Sequence, residues 1–332
     1  MDTTCYNLKK YTFDNPIFNR VDATYIIHLE GNGRLDHIEE QLKYYHPTKI
    51  VYILFNKGFK KCEKNQHINK PPLDLIDAFF QCFKDANSKN YGNILILEDD
   101  FIFDKEILNR QHSNKIDIFL DDENKKKEIY IYYIGTITYL QSAFGDYHNR
   151  LFFSTGSQSC IYSKGFVKYI LNNVKQETIN DWDIYINFNY VRYKYYTSLC
   201  YQTFPETENS KYWDQESLFL KYVLKILKYN KSIMKLDIQP QPGFNIMESS
   251  SRFMFWFIIV TFILIIFFFI ILINNIFNGK FNKNKRNKNN NPTNFYLYIF
   301  YFILFILVIY PIIIFITLLL IMYMQSIYYN SL

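Results

Sequence analysis

Ile94-Leu95-Ile96-Leu97 runs without a break into Glu98-Asp99-Asp100. Four consecutive apolar residues, mostly β-branched or branched, read as a strand buried on both faces, which favours a parallel sheet in an α/β domain. Ligands of open α/β sheets bind beyond the carboxyl ends of the strands, and that is where the three acids fall. Adjacent carboxylates repel one another and resist desolvation. A divalent cation relieves that repulsion, and hard oxygen donors suit Mg²⁺ or Mn²⁺. Extended geometry points Glu98 and Asp100 to one side and Asp99 to the other. The plainer alternative is a solvated turn after a buried strand.

The surrounding pattern supports an α/β domain. Thr24–Leu29 and Lys49–Phe55 read as further buried strands. Arg34–Tyr45 carries Leu35, Ile38 and Leu42 on one helical face. Leu73–Ala86 carries Leu73, Ile76, Phe80 and Phe83 on another. The resulting β-α-β-α-β order starts a doubly wound sheet. Later, Glu128–Thr138, the stretch around Leu151–Ser159 and Leu199–Phe204 read as strands, while Lys164–Asn172 and Gln215–Tyr229 read as helices. Asp117–Glu128 is charged and reads as a loop or exposed insertion. Residues 1–21 show no periodicity and are expected to be peripheral. The domain is expected over 22–235, with a linker at 236–252.

Residues 253–273 are uncharged and almost wholly apolar, and at helical rise they cover roughly 30 Å, a bilayer core. Residues 295–323 form a second such run, broken by Pro311. The expectation is a transmembrane hairpin around a basic, Asn-rich loop at 274–294. A multi-pass membrane location follows. The loop's Lys and Arg place it in the cytoplasm, whereas Met1–Lys10 lacks an apolar signal segment and keeps the large domain on the cytosolic side. The second signal is weighted more heavily.

The formal charge of +6 comes entirely from residues 251–332, which hold Arg252, Lys280, Lys283, Lys285, Arg286 and Lys288 and no acid. The first 250 residues are formally neutral, which argues against a nucleic-acid footprint. Aromatics at 20% fit A/T-rich codon usage and carry no functional reading. The five cysteines form no CxxC pair and their number is odd. Free thiols in a reducing compartment are expected rather than a zinc site or disulfides.

Four segments in order resemble glycosyltransferase family 25, which includes lipopolysaccharide-biosynthesis and procollagen galactosyltransferases. They are Tyr25–Leu29 with Arg34–Ile38, Ile96–Asp100, Gly156–Leu171 with its Cys160–Phe166 core, and Asp181-Trp182-Asp183. The resemblance covers residues 22–217. His28 stands where the family usually has Asn, and Gly31-Asn32-Gly33 replaces a more basic turn. The resemblance implies a GT-A-type, Rossmann-like domain, a nucleotide-sugar donor (usually a UDP-sugar) and Mn²⁺ or Mg²⁺. It also implies inversion at the donor carbon.

Glycosyl transfer from a nucleoside diphosphate needs the leaving diphosphate neutralised and a base for the acceptor hydroxyl. Glu98, Asp99 and Asp100 are the expected metal ligands. Arg34 is a contact for the donor diphosphate, and Gly156 and Ser157 allow backbone to approach the donor. Asp181 and Asp183 are the acceptor-side or base residues, Asp181 favoured, with helix capping as the alternative. His28 reads as a hydrogen-bonded core residue. Trp213 reads as a core or surface-packing residue, with stacking on a sugar as the alternative, and Gln215 and Glu216 are weaker site candidates. The leading expectation is a membrane-anchored, metal-dependent hexosyltransferase acting on a glycan, lipid-linked or protein acceptor. The competing one is an inactive binding or assembly protein that keeps a transferase-like domain. No GxxxxGK loop is present, which disfavours a nucleoside-triphosphate enzyme.

Overall fold

In the computed structural model, residues 5–203 are described except 123, 124, 126 and 127, together with 248–263, 266, 267, 270 and 273. The chain divides into two compact units, Met1–Ser251 and Arg252–Leu332.

The first unit is built on one nine-stranded sheet. Its strands are β1 (Tyr6–Thr12), β2 (Ala23–Leu29), β3 (Ile50–Asn56), β4 (Ile94–Glu98), β6 (Tyr130–Tyr133), β7 (Ile137–Gln141), β8 (His148–Thr155), β9 (Ser159–Tyr162) and β10 (Val191–Tyr195). Their spatial order is β1-β3-β2-β4-β9-β6-β10-β8-β7. A separate two-stranded ribbon pairs β5 (Phe101–Phe103) with β11 (Cys200–Gln202). The β2, β3 and β4 strands run parallel, β9 is inserted antiparallel between β4 and β6, and β10 runs parallel to β6. The central strands are buried over almost their whole length, as continuous apolar runs require.

Helices cover both faces. The alternation along β4 assigns Ile94 and Ile96 to one face. There they pack with Ile76, Phe79 and Phe83 of α2 (Pro71–Ser88), Phe166 and Ile170 of α4 (Lys164–Asn173), and Trp182 and Ile186 of α5 (Trp182–Asn189). Leu95 and Leu97 face the other way, toward Ile38 and Leu42 of α1 (Leu35–Tyr44) and Ile116 and Leu120 of α3 (Arg110–Asp121). The α2 helix opens on Pro71 and Pro72, whose missing N–H groups would have no intrahelical partner in a first turn anyway.

Several expectations change. Residues 5–21 are not peripheral: β1 pairs along its full length with β3, and Ile17, Phe18 and Val21 are buried. Asp117 to Asp121 is the end of α3, not a loop. Asp117 is buried because it accepts hydrogen bonds from the backbone N–H groups of Asn19 and Arg20. The expected strand over Glu128–Thr138 is two, β6 and β7, separated at Gly135. Cys5 and Cys62 are joined by a disulfide, so the expected set of free thiols reduces to Cys82, Cys160 and Cys200, all buried.

The transmembrane hairpin is the largest correction, and with it the multi-pass membrane location. Among the described residues no helix is long and apolar enough to cross a membrane. Residues 248–263 are helical. The first of them are polar: Glu248 is buried against Lys194 of β10 at 2.6 Å, and Ser251 accepts from Gln141 of β7 at 2.8 Å. The second expected span, 295–323, and the basic loop at 274–294 lie outside the described residues. So do Trp213, Gln215, Glu216 and the helix expected at Gln215–Tyr229.

Candidate functional site

The parallel strands deliver their carboxyl ends to one edge of the sheet. Glu98 ends β4 there, and the turn before β9 meets it, with Glu98 N–H donating to the Gln158 carbonyl at 3.1 Å. Past Glu98 the chain turns at Asp99 and Asp100, and the three acids take different partners.

Asp99 turns toward the start of α1. Its Oδ1 accepts from Arg34 Nη1 at 2.6 Å. Its Oδ2 accepts from Asn32 Nδ2 at 2.5 Å and from Leu29 N–H at 3.2 Å, with His28 Nδ1 at 3.3 Å. Burial alone pushes this carboxyl up, but His28, Arg34 and Asn32 together outweigh it and hold Asp99 below the usual carboxylate range. Gly31 and Gly33, both at positive φ, shape the turn that brings Asn32 and Arg34 to it. His28 is thus the hydrogen-bonded core residue that its apolar surroundings imply. Arg34, expected against a donor diphosphate, is oriented by Asp99.

Glu98 and Asp100 take other partners. Ser157 Oγ donates to Glu98 Oε1 at 3.0 Å. Burial, then Asp100 and Asp183, push the Glu98 carboxyl well up. Asp100 is 2% exposed. Its Oδ2 accepts from Gln202 Nε2 at 2.9 Å, while its Oδ1 is buried with no hydrogen-bond partner. Burial, then the neighbouring Asp99 charge, raise Asp100 to about 6.

The Asp181-Trp182-Asp183 segment opens α5. Asp181 is its N-cap, accepting from Ile184 N–H at 2.9 Å. Trp182 is buried among Phe79, Phe83 and Tyr162. Asp183 turns back to the β8–β9 turn and accepts from Gly156 N–H at 2.8 Å. Burial raises it to about 6, with Asp181 adding to the rise and the Gly156 N–H opposing it. Gly156, at φ +90°, is the residue whose backbone fits this approach. So Asp183, Gly156, Ser157, Glu98 and Asp100 form one acidic neighbourhood, while Asp99 with Arg34 and Asp181 as a cap sit beside it. Among the described residues no group of three or more His, Cys, Asp or Glu side chains is arranged to hold a metal ion. Both Asp99 oxygens are engaged by Arg34, Asn32, Leu29 N–H and His28.

Three polar residues not singled out from sequence also belong here. Gln202 holds Asp100. Gln158, fully buried, donates to the Gly135 carbonyl at 3.3 Å and leaves its Oε1 unpartnered. Asn187 of α5 bonds both ways along β8, accepting from Ser154 N–H at 3.1 Å and donating to Ser154 C=O at 2.7 Å. It thereby fixes α5, and Asp183 with it, against the sheet. Asn187→Ala is expected to cost about 2 kcal/mol, since it orphans two buried backbone groups. Urea unfolding checks this, and a change below about 0.5 kcal/mol counts against the anchoring role.

No family model matches the chain, and no curated protein matches it. Among solved structures, the chain is similar to the crystal structure of A197 from STIV, at 13% identity over 57% of this chain and 87% of that one, with a TM-score of 0.34. It is also similar to the crystal structure of a glycosyltransferase involved in the glycosylation of the major capsid of PBCV-1, at 10% identity over 57% of this chain and 97% of that one, with a TM-score of 0.30. Likeness this distant does not tell what chemistry the acidic edge performs.

Proposed function

We propose that the first unit transfers a hexose from a nucleotide sugar, UDP-linked as the family resemblance implies, to a hydroxyl of a glycan or glycoconjugate. The observation that carries this is the pair of neighbouring buried carboxylates, Glu98 and Asp100, with an orphaned Asp100 oxygen at the carboxyl edge of the sheet. Two crowded, buried carboxylates with an unused lone pair fit a hard divalent cation. Mg²⁺ and Mn²⁺ commonly take one or two protein carboxylates and fill the remaining positions with substrate phosphates and water, so a three-residue cluster is not required. Glu98 and Asp100 would hold Mg²⁺ or Mn²⁺, which would supply charge neutralisation for the leaving diphosphate.

The chain's own residues supply the rest. In the transfer, the bond from the sugar carbon to the diphosphate oxygen breaks and a bond to the acceptor oxygen forms, while the acceptor's proton passes to a base. Asp183 suits that base: a carboxyl raised to about 6 is ionised at neutral pH yet close enough to it to take a proton efficiently. Arg34, held by Asp99 and with its side chain 19% exposed, offers a guanidinium of fixed orientation to a donor phosphate. Ser157 positions Glu98.

The test uses the full chain with Mn²⁺ and a panel of nucleotide sugars, reading release of nucleoside diphosphate with and without simple glycoside acceptors. One donor should be turned over, and Asp183→Asn should lower that rate by about 10²–10⁴-fold. Turnover unchanged in Asp183→Asn refutes the base assignment. A second reading, nucleotide-sugar binding without transfer, is favoured by the Asp99–Arg34 pairing, which removes the central acid from any shared ligand set. Metal-dependent donor binding without release in every combination establishes that reading instead.

A further inference from the structure

A second polar cavity, of about 300 Å³, lies between α2, the loop that precedes it and the turn at Gln176–Thr178. It is lined by Glu63, Lys64, Asp77, Gln81, Lys84 and Gln176, among others. Gln81 is the informative residue. It sits within the run Phe79-Phe80-Gln81-Cys82-Phe83, every member of which is buried, and is itself 4% exposed. Its Oε1 has no hydrogen-bond partner. A buried, unpaired amide oxygen costs stability that an apolar residue at this position would not. The position calls for a donor delivered from the cavity.

The charges around the cavity narrow what that donor belongs to. Lys64, its side chain 3% exposed, is committed to Asp74 at 2.5 Å and Asp77 at 3.6 Å, and it also donates to Asn56 Oδ1 at 2.9 Å and to the Tyr6 hydroxyl. Asp77 is equally engaged, accepting from the Tyr6 hydroxyl and from Gln176 Nε2 at 3.0 Å. The lining is charge-balanced, Glu63 and Asp77 against Lys64 and Lys84, so neither a phosphate nor a cation would meet a net opposite charge. What fits is uncharged, rich in hydroxyls, and small, since the volume lies at the lower end for ligand pockets.

We propose that this cavity binds a neutral, hydroxyl-rich molecule of single-ring size, with a monosaccharide unit as the model ligand, one of whose hydroxyls donates to Gln81 Oε1. The site shares no residue with the acidic edge. The inference stands whether or not that edge transfers sugar.

The test is saturation-transfer NMR on the full chain, without nucleotide sugar, using methyl α-D-glucopyranoside and methyl α-D-galactopyranoside as probes. At least one should show saturation transfer. Gln81→Leu should weaken its binding by about tenfold, the effect of losing one buried hydrogen bond, and inorganic phosphate should not displace it. Thermal melting verifies that Gln81→Leu folds. Lys84→Trp, at an exposed position on the cavity lining, is the second variant and should also abolish the signal by obstructing entry. Absence of saturation transfer from both glycosides overturns the proposal, as does a signal unchanged in both variants or displaced by phosphate. So does a signal lost in Asp100→Asn, because that would put the sugar at the acidic edge.

Discussion

Asp100→Asn is expected to abolish transfer and, at neutral pH without divalent cation, to make the chain more stable. The two effects share one cause. In the native fold Asp100 is buried, faces the Asp99 charge and leaves one oxygen unpartnered, so its proton is held more tightly than in the unfolded chain. Its carboxyl titrates near 6 against an ordinary value of about 3.9. Below about pH 4 both states are protonated and the group contributes nothing. As pH rises through that window the unfolded chain ionises first, and stability falls until about pH 6, above which the penalty is constant. That penalty is on the order of 2–3 kcal/mol, and Asp183 acts in the same direction. Asn removes it while keeping an oxygen for Gln202. Guanidinium unfolding should therefore show the variant more stable at pH 7 and equal to the native chain at pH 4. Adding Mn²⁺ should stabilise the native chain and leave the variant unmoved. An identical offset at both pH values, or equal Mn²⁺ stabilisation of both proteins, refutes the account. Nucleoside diphosphate release should drop by about 10²–10³-fold or more, as when a group that stabilises transition-state charge is removed.

Gly135→Ala should be the most damaging single-methyl change in the first unit. Gly135 follows β6 where the chain passes under β11, and a Cβ there would lie 1.7 Å from the Cys200 carbonyl oxygen and 2.7 Å from its carbon. The obstacle is backbone, so no rotamer change relieves it. Leu199 N–H donates to the Ile134 carbonyl at 2.7 Å, and the Gly135 carbonyl accepts from Ser159 Oγ at 2.9 Å, so neither strand can move without breaking buried hydrogen bonds. The expected cost is about 4 kcal/mol or more. The site should fail with the fold, because displacing β11 withdraws Gln202 from Asp100. Denaturant unfolding and Mn²⁺ binding by calorimetry check both parts. A loss under about 1 kcal/mol would mean that the Cys200 backbone yields easily.

The central strands were legible because burial on both faces leaves unbroken apolar runs, as at Ile94–Leu97. The edge strand was not: Asn7, Lys9 and Lys10 in β1 are solvated, and pairing to β3 depends on backbone groups that leave no mark on composition. In α3 the burial of Asp117 disguised the helical stripe of Ser113, Ile116 and Leu120, because the groups that satisfy it lie on Asn19 and Arg20. The division of labour between Asp181 and Asp183 was equally hidden. Both suit the first turn of a helix, and only the approach of Gly156, set by the sheet topology, separates the cap from the acidic neighbourhood. Gln202 and Gln158 carried no local signal at all, since their partners are distant in sequence or are backbone groups.

The Cys5–Cys62 disulfide bears on how the chain is handled outside its native setting. It ties the start of β1 to the loop beyond β3, and among the described residues β1 is the strand that covers the outer edge of β3, whose sequence is Ile-Val-Tyr-Ile-Leu-Phe-Asn. A chain produced in a reducing cytosol, or purified with excess thiol, holds that cover without its covalent tie, by backbone pairing and by contacts such as those of Tyr6 with Asp77 and Lys64. Each time β1 lifts, an apolar strand edge is open to the same edge of another chain. Yield and self-association should therefore track the redox state of Cys5 and Cys62.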